Sequence, residues 1–125
     1  MAKEIKWLRD PEPHDYPAGK SYLCLIFDER RAKVLARNLR SVQIAMFKAK
    51  DVLRASRLNA LGLDNKHVEK DKKKIRDGKP LSPLLLVRDL RNHQVIVADG
   101  YHRLCAVYAV DEDAEIPCKI VDGDR

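Results

Sequence analysis

Gln94-Val-Ile-Val-Ala-Asp99-Gly100-Tyr101-His102-Arg103-Leu-Cys-Ala-Val-Tyr108 is the stretch on which the fold turns. Its first five residues have strand composition, and Asp99-Gly100 breaks them off. Leu104, Val107 and Tyr108 then recur at i, i+3 and i+4, the spacing of a helix. Upstream, Leu84-Leu-Leu-Val-Arg88 is a continuous apolar run of strand length, suited to a strand buried on both faces. Asp89 to His93 makes the turn between the two runs, so 84–98 reads as a β-hairpin. Downstream, the acidic loop Asp111-Glu-Asp ends the helix, and Ile116, Cys118 and Ile120 alternate along a last strand. Pro117 places that strand at a sheet edge or falls among its first residues.

Between residues 10 and 19, Pro11, Pro13, Pro17 and Gly19 exclude a helix or a central strand. This reads as an irregular arm pinned to the core by Trp7 and Leu8. From Ser21 the pattern turns helical, with Tyr22, Leu25 and Ile26 on one stripe. Asp28 can cap a second helix carrying Ala32, Leu35, Leu39 and Val42. Ile44 to Leu53 reads as a short strand entering a turn at Asp51, and Ser56 to Asn65 as a loop. Asp64 or Asn65 caps a basic helix over 65–77, which Gly78 and Pro80 terminate. The expected fold is α+β: a small mixed sheet flanked by helices, with an N-terminal arm and helices over 1–43 and one compact unit over 44–125.

The chain has 125 residues, 45% hydrophobic and 35% charged, which suits one globular core. No apolar run approaches the roughly 20 residues that span a bilayer. The N-terminal segment lacks the apolar stretch of a secretory signal, so a cytoplasmic setting is expected. Cys24, Cys105 and Cys118 are scattered with no C-x-x-C pair, and read as reduced core thiols. The net charge is +6, which favours polyanionic partners. Residues 66–79 concentrate it, with seven Lys/Arg against three acids. That segment is either a solvated helix face or a surface that meets phosphates.

The strand-to-helix turn is where chemistry is expected. Gly100 lets the chain turn sharply, and the first amides of the following helix are unpaired donors at its positive end, a ready anion site. His102 and Arg103 add side-chain donors. Asp99 is out of place beside an anion unless it holds a metal, magnesium being the usual bridge to phosphates, or takes a proton. The plainer alternative is a turn in which Asp99 caps the helix and Arg103 is a surface charge.

Val95-Ile-Val-Ala-Asp-Gly-Tyr-His-Arg-Leu-Cys-Ala-Val-Tyr108, followed by Ile116-Pro-Cys-Lys-Ile-Val121, resembles the signature of the ParB/sulfiredoxin superfamily. Phe47-Lys-Ala-Lys-Asp-Val-Leu-Arg54 is similar to its first strand and turn, and Leu81-Ser-Pro-Leu-Leu-Leu-Val87 to a further strand. The resemblance spans about 44–122. It implies a nucleotide phosphate site on Gly100, His102 and Arg103, helped by Arg54, with His67, Lys70 and Lys74 of the basic helix as secondary contacts. Tyr101 stands where sulfiredoxins carry the catalytic cysteine, so that activity is not expected. The Arg-rich motif of ParB partition proteins is not found. Asp99 before Gly100 is closest to the kinase-like members, although their upstream catalytic glutamate has no clear counterpart.

Two classes of function follow. One is a Mg2+-dependent phosphotransferase or nucleotide hydrolase acting on an ATP-, ADP- or CTP-like ligand. Asp99 would be its metal ligand or base, and His102 and Arg103 would stabilise the transferring phosphoryl group. The other is a non-catalytic ParB-like module that binds nucleic acid without sequence preference or regulates a partner. A ParB-like nuclease would need carboxylates beyond Asp99, for which Asp51 and Asp64 are available. Fold alone does not choose between them.

Overall fold

Leu84, Leu85, Leu86 and Val87 are all buried because the strand that carries them has helices on both sides. The computed structural model describes residues 4–62 and 65–123. In chain order the elements are α1 (Asp15–Leu23), α2 (Glu29–Ser41), β1 (Ala45–Lys48), α3 (Ala49–Ser56) and α4 (Lys66–Arg76). There follow β2 (Leu84–Asp89), β3 (Gln94–Asp99), α5 (Tyr101–Val110) and β4 (Glu115–Asp122). The strands form one mixed four-stranded sheet in the order β1-β4-β2-β3. β2 pairs antiparallel with β3, as the hairpin reading requires, and parallel with β4, which pairs antiparallel with β1.

Alternation along β2 divides the core. Leu85 and Val87, with Ile96 and Ala98 of β3, pack against Tyr16, Leu23, Ala32, Leu35 and Leu39 of α1 and α2. Leu84, Leu86 and Val97 meet α3, α4 and α5 through Val52, Leu53, Val68, Ile75, Leu104 and Val107. The chain is thus α+β with helices on both faces, and residues before 44 supply most of one layer. Trp7 and Leu8 pin the arm as expected: Trp7 bridges to Leu81, and Leu8 N donates to Leu81 O at 2.8 Å.

Three local readings need correction. The proline-rich arm turns into α1 at Asp15. Pro17 is the third helical residue and precedes the first i→i−4 bond, from Ala18 N to His14 O at 3.3 Å, so its missing N–H costs nothing. Gly19 then lets the helix approach the sheet closely, since a Cβ there would lie 3.3 Å from Leu85 Cδ1. The stripe Tyr22, Leu25, Ile26 is exposed, because α1 ends at Leu23 and that residue turns inward. Asp51 does not turn the chain either. It lies inside α3, whose Ala49, Val52, Leu53 and Ser56 are buried at helical spacing.

The remaining caps follow their chemistry. Asp28 accepts from Arg31 N at 2.7 Å, and Asn65 from His67 N and Val68 N at 3.0 and 3.2 Å. Asp64, the alternative cap, lies outside the described residues. Gly78 closes α4 at φ 71°. Of the two positions Pro117 allowed, the second holds. β4 is interior, and its ladder with β2 begins only at Cys118. Cys105 and Cys118 are core thiols, with burial pushing the Cys118 thiol up to about 12, whereas Cys24 is exposed.

Candidate functional site

α4 and α5 pack side by side, and the face of α4 carrying His67, Lys70 and Lys74 meets the start of α5. A cavity of about 220 Å³ lies between them, lined by these three, by Asp71, and by Asp99 through Arg103. Of the residues expected in the site, Arg54 alone is elsewhere. It projects from α3 as an exposed side chain 3.6 Å from Asp51 and lines a separate cavity of about 720 Å³ beside Lys50, Arg57 and Glu112. A turn at Asp51 would have aimed it differently; a helix carries it away.

Gly100 shapes the mouth. It occupies the N-cap position of α5 at φ 107°, and its lack of a side chain leaves the first turn uncapped. Asp99 therefore does not cap the helix. Leu104 N is bonded to Gly100 O at 2.9 Å, so the amides of Tyr101, His102 and Arg103 precede the first i→i−4 bond.

Arg103 is built in rather than free on the surface. Its Nε donates to Ser82 O at 2.9 Å, and its Nη2 to Pro83 O at 3.2 Å and to Asp99 Oδ2 at 3.0 Å. Among the described residues its Nη1 has no hydrogen-bond partner. The network continues behind the site, where Ser82 Oγ and Glu12 N donate to the buried Asp15 carboxylate. This tie between the arm and α5 spans most of the chain, and no local pattern announced it.

The cavity mixes signs. Burial pushes the Asp99 carboxyl above its usual value, opposed by the adjoining Arg103 guanidinium. Burial also pushes Asp71 up, against the pull of Lys74, Arg103, His102 and Lys70. The His67 and His102 rings are 4.7 Å apart, and burial followed by the His67 neighbour lowers the His102 pKa. Asp71 went unread in the sequence, although it sits four residues from His67 and so on the same helical face. Tyr101 donates its hydroxyl to Asn59 O, which ties the loop after α3 to the start of α5.

Glu12, His14 and Asp15 carry ligand-type atoms all within 4.8 Å of one another, the one such group among the described residues. His14 Nε2 lies 3.2 Å from Glu12 and 3.4 Å from Asp15, so the group already satisfies part of its own polarity. At Asp99 one carboxylate oxygen is held by Arg103, and the other has no side-chain partner among the described residues. One carboxylate oxygen is too few for an all-protein cage, so a magnesium ion there would need phosphate and water for its remaining ligands. Among the described residues, no helix is long and apolar enough to cross a membrane. Compared with protein-family models, with curated proteins and with solved structures, the chain matches none.

Proposed function

We propose that the cavity between α4 and α5 binds the phosphate end of a nucleotide of the ATP, ADP or CTP kind, and that the chain is a ParB/sulfiredoxin-like domain. One observation carries the reading. His67, Lys70 and Lys74, which lie more than 20 positions before Gly100 in sequence, line the same cavity as Gly100, His102 and Arg103. A volume of about 220 Å³ suits phosphate groups, with the nucleoside extending past the rim. Lys70 and Lys74 supply charge, the amides at the start of α5 supply directed donors, and Arg103 is held in place by Asp99 and two carbonyls. The motif resemblance over 95–108 supports the same assignment.

In the catalytic form of the proposal, the protein is a Mg2+-dependent phosphotransferase or nucleotide hydrolase. A magnesium ion brought with the nucleotide would neutralise charge on the transferring group, with the second Asp99 oxygen as its protein ligand. His102, whose charged form is disfavoured by burial and by the His67 neighbour, can donate or accept a proton beside that group. The chain supplies position and electrostatics; the leaving group is the nucleotide's own.

The test is calorimetric titration of the full chain with ATP, ADP, CTP and GTP, with and without magnesium. Saturable binding of at least one is expected, and loss of that binding in Lys70→Ala with Lys74→Ala. No binding of any of the four at millimolar concentration would overturn the reading. A second reading, a nucleic-acid-binding module, is favoured by the excess of +4 charge on 66–79. It predicts DNA binding that survives at physiological salt.

A further inference from the structure

We propose that Asp71 makes this cavity selective for phosphate groups that carry a hydrogen-bond donor, orthophosphate or a terminal phosphomonoester, over sulfate and over phosphodiesters. The inference rests on reading the cavity as a phosphate site and goes on to name the kind of phosphate. Its observation is a carboxylate where an anion site should have none. Asp71 is only 9% exposed and lines the cavity, yet no hydrogen bond or ion pair to it is found among the described residues. Asp99, the other carboxylate there, is engaged by Arg103 at 3.0 Å and is not in the same position.

Among the described residues no fully buried side-chain oxygen lacks a partner, so the Asp71 carboxylate opens onto the cavity, where a ligand's donor can replace water. The charges that face Asp71 come from Lys70 and Lys74 on its own helix and from His102 and Arg103 on α5. A cationic donor would be repelled by them, whereas a neutral P–OH would not. A phosphomonoester has its second pKa near about 6, so close to neutral pH it carries a P–OH in part of its population. Sulfate and dialkyl phosphates carry none.

Bound phosphate and Asp71 would then share one proton. It comes from the phosphate or from the carboxyl, whose burial favours its protonated form. Sulfate could take that proton only from Asp71. The consequence reaches nucleic acid: internal backbone phosphates are diesters and would be refused by the cavity, whatever the basic surface of α4 does at low salt. Terminal phosphates would be accepted.

The test uses the full chain and three probes at equal ionic strength: inorganic phosphate, sulfate and dimethyl phosphate, followed by calorimetry or amide chemical shifts. Phosphate should bind more tightly than sulfate by at least about tenfold, the scale of one charge-assisted hydrogen bond, and dimethyl phosphate should not bind. The preference should persist between about pH 6.5 and pH 8.5, because the inorganic phosphate dianion still carries a P–OH that sulfate lacks. The neighbouring cations Lys70, Lys74 and Arg103 and the rings of His67 and His102 act on both anions, so the ratio isolates Asp71. Asp71→Asn presents an amide donor instead, and should raise sulfate affinity about tenfold and remove the preference. Sulfate binding as tightly as phosphate in the wild-type protein overturns the selectivity and leaves the phosphate site standing. No binding of any probe overturns both. The wild-type ratio and its pH dependence decide the matter even if the variant does not fold.

Discussion

Gly100→Ala is the perturbation that most directly tests whether backbone, core and site meet at one residue. At φ 107° an L-residue is strained, which costs about 1–2 kcal/mol. A Cβ built there would lie 2.3 Å from Leu84 Cδ2, 2.8 Å from Arg103 Nη2 and 3.1 Å from Arg103 Cζ. Leu84 is fully buried, and Arg103 is fixed by three hydrogen bonds, so neither yields freely. Overpacking of this kind adds about 1–3 kcal/mol. The sum, about 2–5 kcal/mol, is a large share of the roughly 5–15 kcal/mol that holds a domain together. For a chain of this size it should lower the melting temperature by roughly 10–20 °C. Urea unfolding gives the free energy, and a phosphate titration of the folded variant should show weakened binding, because the methyl group displaces the Arg103 guanidinium. Stability within about 0.5 kcal/mol of wild type would refute the argument, since a surface substitution without special geometry costs no more than that.

Arg103→Ala should weaken nucleotide binding by about 1.5–3 kcal/mol, the worth of a charge-assisted hydrogen bond, and equal affinity by calorimetry would remove Arg103 from the site. Asp99→Asn should lower any turnover far more than nucleotide affinity while the fold survives; an unchanged hydrolysis or transfer rate rejects a catalytic Asp99. Asp71 has its folded pKa raised, so its ionised form opposes folding and its contribution to stability is lost as pH rises above the unfolded value near about 4. Asp71→Asn should therefore be more stable than wild type in urea at pH 7, with the gain shrinking toward pH 4, and a less stable variant at pH 7 contradicts the sign. Lys72→Glu with Lys73→Glu, which line no part of the cavity, should abolish DNA binding and leave nucleotide binding. In the wild-type protein, DNA binding should fade between roughly 50 and 200 mM salt, and sequence-selective binding at the upper value would favour the nucleic-acid module.

What could be read from the sequence was what neighbouring residues decide. The β2–β3 hairpin was legible because four consecutive apolar residues need two covered faces, and α4 because Asn65 and Gly78 bracket a basic run. α1 was hidden because proline and glycine count against a helix on average, while Pro17 sits in the one turn that tolerates it. The sheet order was not legible at all. β4 enters between β1 and β2, so Cys118 is partnered by Ala45 on one side and Leu84 on the other, and nothing in the alternation of 116–121 names those neighbours. The same limit divides the site. Residues 99–103 were found because a strand, a glycine and a helix start announce an anion site locally. Asp71 shares a helical face with His67 and could have been counted, but its burial depends on α5 covering it. Arg103 required more: its side chain is aimed by carbonyls at 82 and 83 and by Asp99, and the loop that supplies those carbonyls is fastened in turn by Asp15 of the arm. The arm is therefore part of what holds the site in shape. Cutting the Asp15–Ser82 link should loosen Arg103 without touching any residue that lines the cavity.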